Sequence, residues 1–383
     1  MITIVRNGEV YAPEYLGKNA IMIAGGRIEA VCKNISLKVP EIQVREIDAS
    51  GKLVFPGFID AHVHILGGGG EGGFSTRTPE IQISQLLESG ITTVVGCLGT
   101  DGITRDLRAL VAKARSLEEE GITAFVYTGS YRMPPKTITG SIQEDIILID
   151  DIIGVGEVAL SDHRSSHPTF EEFVKVVSDA RVGGMLSGKA GIVNVHMGDG
   201  KMELDYIERL ESETEIPKKQ VIPTHINRNP SLFQKAIKYA KGGGCVDFTT
   251  STVWRFIEEG EVKCSKGLRA MLEEGVDIRN ITFTSDGQGS IPEFDRDGVL
   301  IGLGVASTKS LYKEVKDAVQ IEGIAMECAL RVITSNVADL LKLKKKGRIS
   351  PGMDADLVIA DSQSLDICAV IAKGVELVNV DMK

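Results

Sequence analysis

One pattern constrains this chain more than any other: an alternation repeated eight times through its middle. Apolar, β-branched runs at Phe58–His62, Ile91–Val95, Thr123–Tyr127, Ile152–Val158, Ile192–His196, Gln220–His225, Cys245–Thr249 and Ile281–Ser285 are separated by segments with helical spacing. One of these segments carries Leu107, Leu110, Val111, Ala114 and Leu117 on a single face. Another opens at Thr169-Phe-Glu-Glu172, the form of a capping box, and runs toward Arg181. Eight strand–helix units in roughly 290 residues predict an α/β fold, a TIM (β/α)8 barrel with functional side chains at the C-terminal ends of its strands. A doubly wound open sheet is the rival architecture.

The two ends of the chain read differently. Short strands are expected at Ile2–Arg6, Val10–Tyr11, Ala20–Ile23, Arg27–Val31 and Gln43–Asp48, with turns at Asn7-Gly8 and Gly25-Gly26. Strands return at Ala355–Ala360 and Ala369–Val380, after the turn Ser350-Pro351-Gly352. This predicts one small β-sandwich domain built from both termini, residues 1–55 plus 346–383, around a barrel at 56–345.

The net charge of −10 and the lack of a long basic stretch argue against a nucleic-acid partner. The run Lys342, Lys344, Lys345 and Lys346 reads as a solvated helix end, where cations suit the helix dipole. No apolar stretch approaches the roughly 18 residues of a membrane span. The first residues lack the charged-then-apolar order of a signal peptide, so a cytoplasmic protein is expected. Six dispersed cysteines, with no C-x-x-C pair, argue against a disulfide framework or a zinc ribbon as the organising principle.

The six histidines are His62, His64, His163, His167, His196 and His225, and four of them fall at or just beyond strand ends. His62 and His64 are two apart, so an extended strand points both to one face, the interior in a barrel. His196 closes the fifth strand, His225 the sixth, and Asp286 follows the eighth. Imidazole nitrogens and carboxylate oxygens converging on one rim are a donor set for zinc and similar cations. Glu157 is a lone acid amid the apolar residues of the fourth strand. A buried carboxylate needs compensation, either by cations or by an arginine such as Arg164.

These residues resemble the amidohydrolase superfamily. Pro56-Gly-Phe-Ile-Asp60-Ala-His62-Val-His64 is similar to its first-strand signature, and Gly347-Arg-Ile-Ser-Pro-Gly352-Met-Asp-Ala-Asp-Leu-Val to its return to the small domain. Within it the chain resembles the isoaspartyl dipeptidases. The stretches that carry this include Gly67-Gly-Gly-Gly-Glu71, Gly99-Thr100-Asp, Thr128-Gly-Ser-Tyr131, Ser161-Asp-His-Arg164-Ser, Pro223-Thr-His225-Ile-Asn-Arg228 and Ser285-Asp286-Gly-Gln-Gly-Ser290.

The resemblance implies two divalent metal ions, with zinc the expectation: His62 and His64 on one, His196 and His225 on the other, and Asp286 beside the first. The family's bridging group is a carboxylated lysine. Here Glu157 occupies that position, so no carboxylated lysine is expected. The implied reaction is attack of a metal-bridging hydroxide on an amide carbonyl, with Asp286 as proton shuttle and Tyr131 as donor to the oxyanion.

The implied substrate is a β-aspartyl dipeptide, with one free amino group and two carboxylates. Arg164 and Arg228 suit the carboxylates. Glu71, after four glycines, suits the ammonium group, and Thr100 and Ser290 add hydrogen bonds. Relatives are commonly homo-oligomeric. Three other readings compete: a cyclic-amide hydrolase of the dihydroorotase or hydantoinase type, a one-metal deaminase, and a catalytically inactive barrel scaffold.

Overall fold

The computed structural model describes residues 2–37, 43–295 and 300–379. Its strands, in chain order, are β1 (Ile2–Tyr11), β2 (Tyr15–Ala24), β3 (Arg27–Cys32), β4 (Val44–Asp48) and β5 (Lys52–Pro56). Next come β6 (Phe58–Val63), β7 (Ile91–Gly96), β8 (Thr123–Thr128), β9 (Ile152–Leu160), β10 (Ile192–Met197), β11 (Val221–Thr224), β12 (Val246–Thr249) and β13 (Ile281–Thr284). A hairpin, β14 (Ser290–Phe294) and β15 (Leu300–Val305), precedes β16 (Leu357–Asp361), β17 (Ile367–Ala372) and β18 (Val375–Asn379).

β6 to β11 form a curled parallel sheet in sequence order, and β12 and β13 form a parallel pair. All eight segments coincide with expected strands, shifted at their ends by a few residues at most. Every residue of β6, β7, β9 and β10 is buried, as helix-covered parallel strands require. The pair meets the sheet at both seams: Ile226 N donates to Asp247 O at 3.3 Å, and His64 N to Gly287 O at 2.8 Å.

The helix Leu107–Glu119 buries the five residues read from its spacing. Thr169 and Glu172 make the expected reciprocal cap of the helix Phe170–Ser187. No helix among the described residues is long and apolar enough to cross a membrane.

The second sheet draws on both ends of the chain, in the order β18-β17-β16-β5-β1-β2-β3, with β4 also paired to β1. Val380, the last residue of the expected terminal strand, lies outside the described residues.

Two expectations are corrected. Asn7-Gly8 is a bulge inside β1, not a turn: Asn7 takes φ 64° and its amide donates to Asp48 Oδ1 at 2.8 Å, so the strand continues. The lysine run is not wholly solvated. Lys346 is buried, its Nζ donating to Asp356 Oδ2 at 2.6 Å and Thr123 Oγ1 at 2.7 Å. Its charge ties the return strand region to β8, because a buried ammonium persists only when paired.

Candidate metal centre

The parallel strands end at one rim and bring His62, His64, Glu157, His196, His225 and Asp286 together. Glu157, buried on β9, is the hub: its Oε2 lies 3.0 Å from His196 Nδ1, 3.2 Å from His225 Nε2 and 3.3 Å from His62 Nε2. Its Oε1 lies 3.4 Å from His64 Nε2. Arg164 is not its partner. That guanidinium binds Asp162 instead, with Nη2 at 2.8 Å from Oδ2, so the arginine alternative for Glu157 does not hold.

Asp286 Oδ1 stands 3.0 Å from His64 Nε2 and 3.5 Å from His62 Nε2. His225, directly after β11, and Asp286, two residues beyond the end of β13, both take left-handed backbone conformations, φ 60° and 54°. Non-glycine residues hold such conformations only where surrounding structure enforces them, and here the turn swings each side chain inward.

The donor set fits a metal ion. Neither ring nitrogen of His62 makes a hydrogen bond, although Glu157 is near, and Asp286 Oδ1 is also without one. Lone pairs converging without donor–acceptor geometry are what a cation uses. Two groups, His62–His64–Cys97–Glu157 and Glu157–His196–His225, each offer ligand atoms within 4.8 Å of one another. Glu157 belongs to both.

Electrostatics agree. Burial, then the charge of His196, pushes the His225 imidazole down to about 3, so it stays neutral as a ligand must. Burial opposes ionisation of Asp286, but His64 and the neighbouring imidazoles outweigh it and hold the carboxyl at about 2. Burial likewise opposes protonation of His62, yet Cys97 and Glu157 draw a proton onto it and raise its pKa. A cation entering there displaces that proton.

Partners behind the cluster orient it. His225 Nδ1 is bonded to Thr249 Oγ1, which turns Nε2 toward Glu157. His196 Nε2 faces Asp162 Oδ2, which turns Nδ1 toward Glu157. Asp60 Oδ1 accepts from the backbone of both His62 and Ser285, tying the first strand to the last. The sequence reading assigned no role to Asp60, Cys97, Asp162 or Thr249. Asp60 and Asp162 do lie inside the motifs it singled out.

The other expected residues surround this centre. Tyr131 Oη is 2.8 Å from His196 Nδ1, and burial raises its pKa so that it remains a donor. Arg164 Nη2 lies 3.2 Å, and Arg228 Nη1 3.5 Å, from His196 Nε2. Glu71 pairs with Arg164 at 3.3 Å and accepts from Thr100 Oγ1 at 2.9 Å. Ser290 opens β14 against the Gly69 turn that leads to Glu71. His163 and His167 take no part in the ligand groups found among the described residues.

The model of the amidohydrolase family matches residues 53–381. The structure of a β-aspartyl dipeptidase from Fervidobacterium islandicum AW-1, in complex with β-Asp-Leu dipeptide, superposes with a TM-score of 0.93 at 47% identity, covering 99% of this chain and 96% of that one. A second structure of that dipeptidase gives 0.90 at 45% identity, with 99% and 97% covered. More remotely, an allantoinase of Salmonella choleraesuis (strain SC-B67) is 22% identical over 94% of this chain and 86% of its own length. The chain therefore belongs to the amidohydrolase family and groups with its β-aspartyl dipeptidases.

Proposed function

We propose that this chain hydrolyses the isopeptide bond of β-aspartyl dipeptides at a centre of two divalent metal ions, zinc by family expectation. His62, His64 and Asp286 would hold one ion, His196 and His225 the other, with Glu157 shared. The reading includes closure of the eight parallel strands into a barrel over 56–345, a small domain from 1–55 and 346–383, and a homo-oligomeric cytoplasmic enzyme.

The observation that carries the substrate assignment is the Glu71–Arg164 pair, 3.3 Å apart and joined to the metal centre through His196. Adjoining opposite charges match a group that bears an ammonium and a carboxylate on one carbon. A β-aspartyl residue presents that group; a cyclic amide does not. Arg228 serves the second carboxylate, and Thr100 and Ser290 the remaining polar atoms.

When bound, divalent cations lower the pKa of a coordinated water toward neutrality and polarise the scissile carbonyl. Asp286, ionised and facing His64, accepts the proton of the attacking water and delivers it to the departing amine. Tyr131 donates its hydroxyl proton to the carbonyl oxygen as negative charge develops there. Arg164, Glu71 and Arg228 hold the substrate so that its β-carbonyl meets these groups.

The test is release of leucine from β-aspartyl-leucine beside α-aspartyl-leucine and dihydroorotate, with metal counted per chain. Cleavage of the β-linked peptide alone, with about two metals bound, is the expected result. Turnover of dihydroorotate instead would move the substrate to cyclic amides. Failure to cleave any of them with two metals bound would sink the substrate assignment.

A further inference from the structure

Cys97 lies one residue beyond β7 and is fully buried. Buried thiols ordinarily pack as small hydrophobes. This one instead faces the metal centre. Its Sγ is 3.8 Å from His64 Nδ1 and 3.7 Å from Val63 O, long contacts that leave the sulfur weakly engaged. His62, His64, Cys97 and Glu157 can each aim a ligand atom into one volume, all within 4.8 Å of one another. The segment after Cys97 is pressed into the same space. A Cβ on Gly99 would stand 2.9 Å from His64 Cε1 and 3.4 Å from Glu157 Oε1.

We propose that Cys97, as a thiolate, is a ligand of the metal ion held by His62 and His64. The inference rests on the metal-centre reading above and deepens it. Glu157 alone must serve both halves of the centre, and its Oε2 leans toward His196 and His225. Its other oxygen is the more distant contact, 3.4 Å from His64. That half also has Asp286, but Glu157 and Asp286 together carry two negative charges against the four positive charges of two divalent cations, so the centre has room for one more buried anion. A thiolate just beyond the adjoining strand β7 supplies it. On binding, the S–H proton leaves to solvent and the freed lone pair forms the metal–sulfur bond, with no change of oxidation state. The result is a mixed imidazole, carboxylate and thiolate site, softer than one of nitrogen and oxygen alone and biased toward zinc, cobalt and iron over magnesium or calcium.

The experiment loads metal-free protein with cobalt(II), counts cobalt per chain, and records the absorption spectrum for the unmodified protein and for Cys97→Ser. The expected result is a sulfur-to-cobalt charge-transfer band in the near-ultraviolet that grows with loading and vanishes on displacement by zinc. In Cys97→Ser the band is absent while cobalt still binds, with affinity lowered by about 10-fold or more. Cobalt bound by the unmodified protein without a sulfur band overturns the assignment and leaves the metal centre intact. A band that persists in Cys97→Ser also overturns it, by tracing the sulfur to another cysteine. No cobalt bound at all overturns both readings. Should Cys97→Ser not fold, the unmodified protein's spectrum and its reversal by zinc still decide the matter.

Discussion

His196 Nε2 lies 3.1 Å from Asp162 Oδ2, the same oxygen that stands 2.8 Å from Arg164 Nη2. One buried carboxylate thus orients both the His196 imidazole and the Arg164 guanidinium. Its own pKa is held well below the usual range: burial opposes this, but the hydrogen bonds from Arg164 and His196 prevail. The neighbouring backbone makes room for it, since a Cβ on Gly198 would come within 2.5 Å of Asp162 Cβ.

Asp162→Asn keeps the shape and loses the charge, so it should loosen both partners at once. Affinity for metal should fall about 10–100-fold. KM for β-aspartyl-leucine should rise more than kcat falls, because Arg164 is freed to swing. Chelator competition and steady-state kinetics measure the two effects. If neither moves, Asp162 has no orienting role.

Tyr131→Phe removes the hydroxyl beside His196 and little else. With the metal content unchanged, kcat should fall about 100–1,000-fold, the loss typical of one oxyanion donor. A loss of metal on the same scale would instead make the tyrosine a support for His196.

Removal of the metals should destabilise the fold as well as silence it. A cation that binds only the native state, present at about 1,000 times its Kd, contributes about 4 kcal/mol. Without it the anionic hub of Glu157 and Asp286 is left among imidazoles that must take up protons. Chelation should therefore lower Tm, and zinc should restore it; an unchanged Tm would argue that the cluster binds no metal.

Glu261, close to Arg228, sets a pH dependence of its own. Burial pushes its carboxyl up to about 7, against the pull of Thr252 and Arg228. The folded state thus binds this proton more tightly than the unfolded state does. The stability it contributes is present below the unfolded pKa of about 4.5 and is lost as pH rises through about 7. Urea melts at pH 5 and pH 8 should show a smaller fall in stability for Glu261→Gln than for the unmodified protein. An identical fall in both would show that Glu261 titrates normally.

The convergence of these side chains was legible in the sequence because strand geometry is local. Residues two apart on one strand share a face, which pairs His62 with His64. Parallel strands joined by helices all end at one rim, which gathers Glu157, His196, His225 and Asp286. The helix face of Leu107 to Leu117 and the cap at Thr169 were legible for the same reason: each depends on a few consecutive residues.

What only the tertiary structure decided lies across strand boundaries and in the turns beyond them. Cys97 looked like any dispersed cysteine until β7 set it beside β6 and His64. Asp162 could have faced solvent; the left-handed turn at Ser161, φ 53°, and the close passage of Gly198 turn it toward His196. Lys346 belonged to a run that reads as solvated, and its burial follows from the return of the chain against β8, which brings Thr123, 223 residues away, to the same ammonium as Asp356. Glu71 and Arg164 were expected to meet a ligand separately, and their pairing follows from how two loops close over one rim. Periodicity determines which face a side chain takes within an element. Which neighbour it meets is set by packing between elements, and no local pattern encodes that.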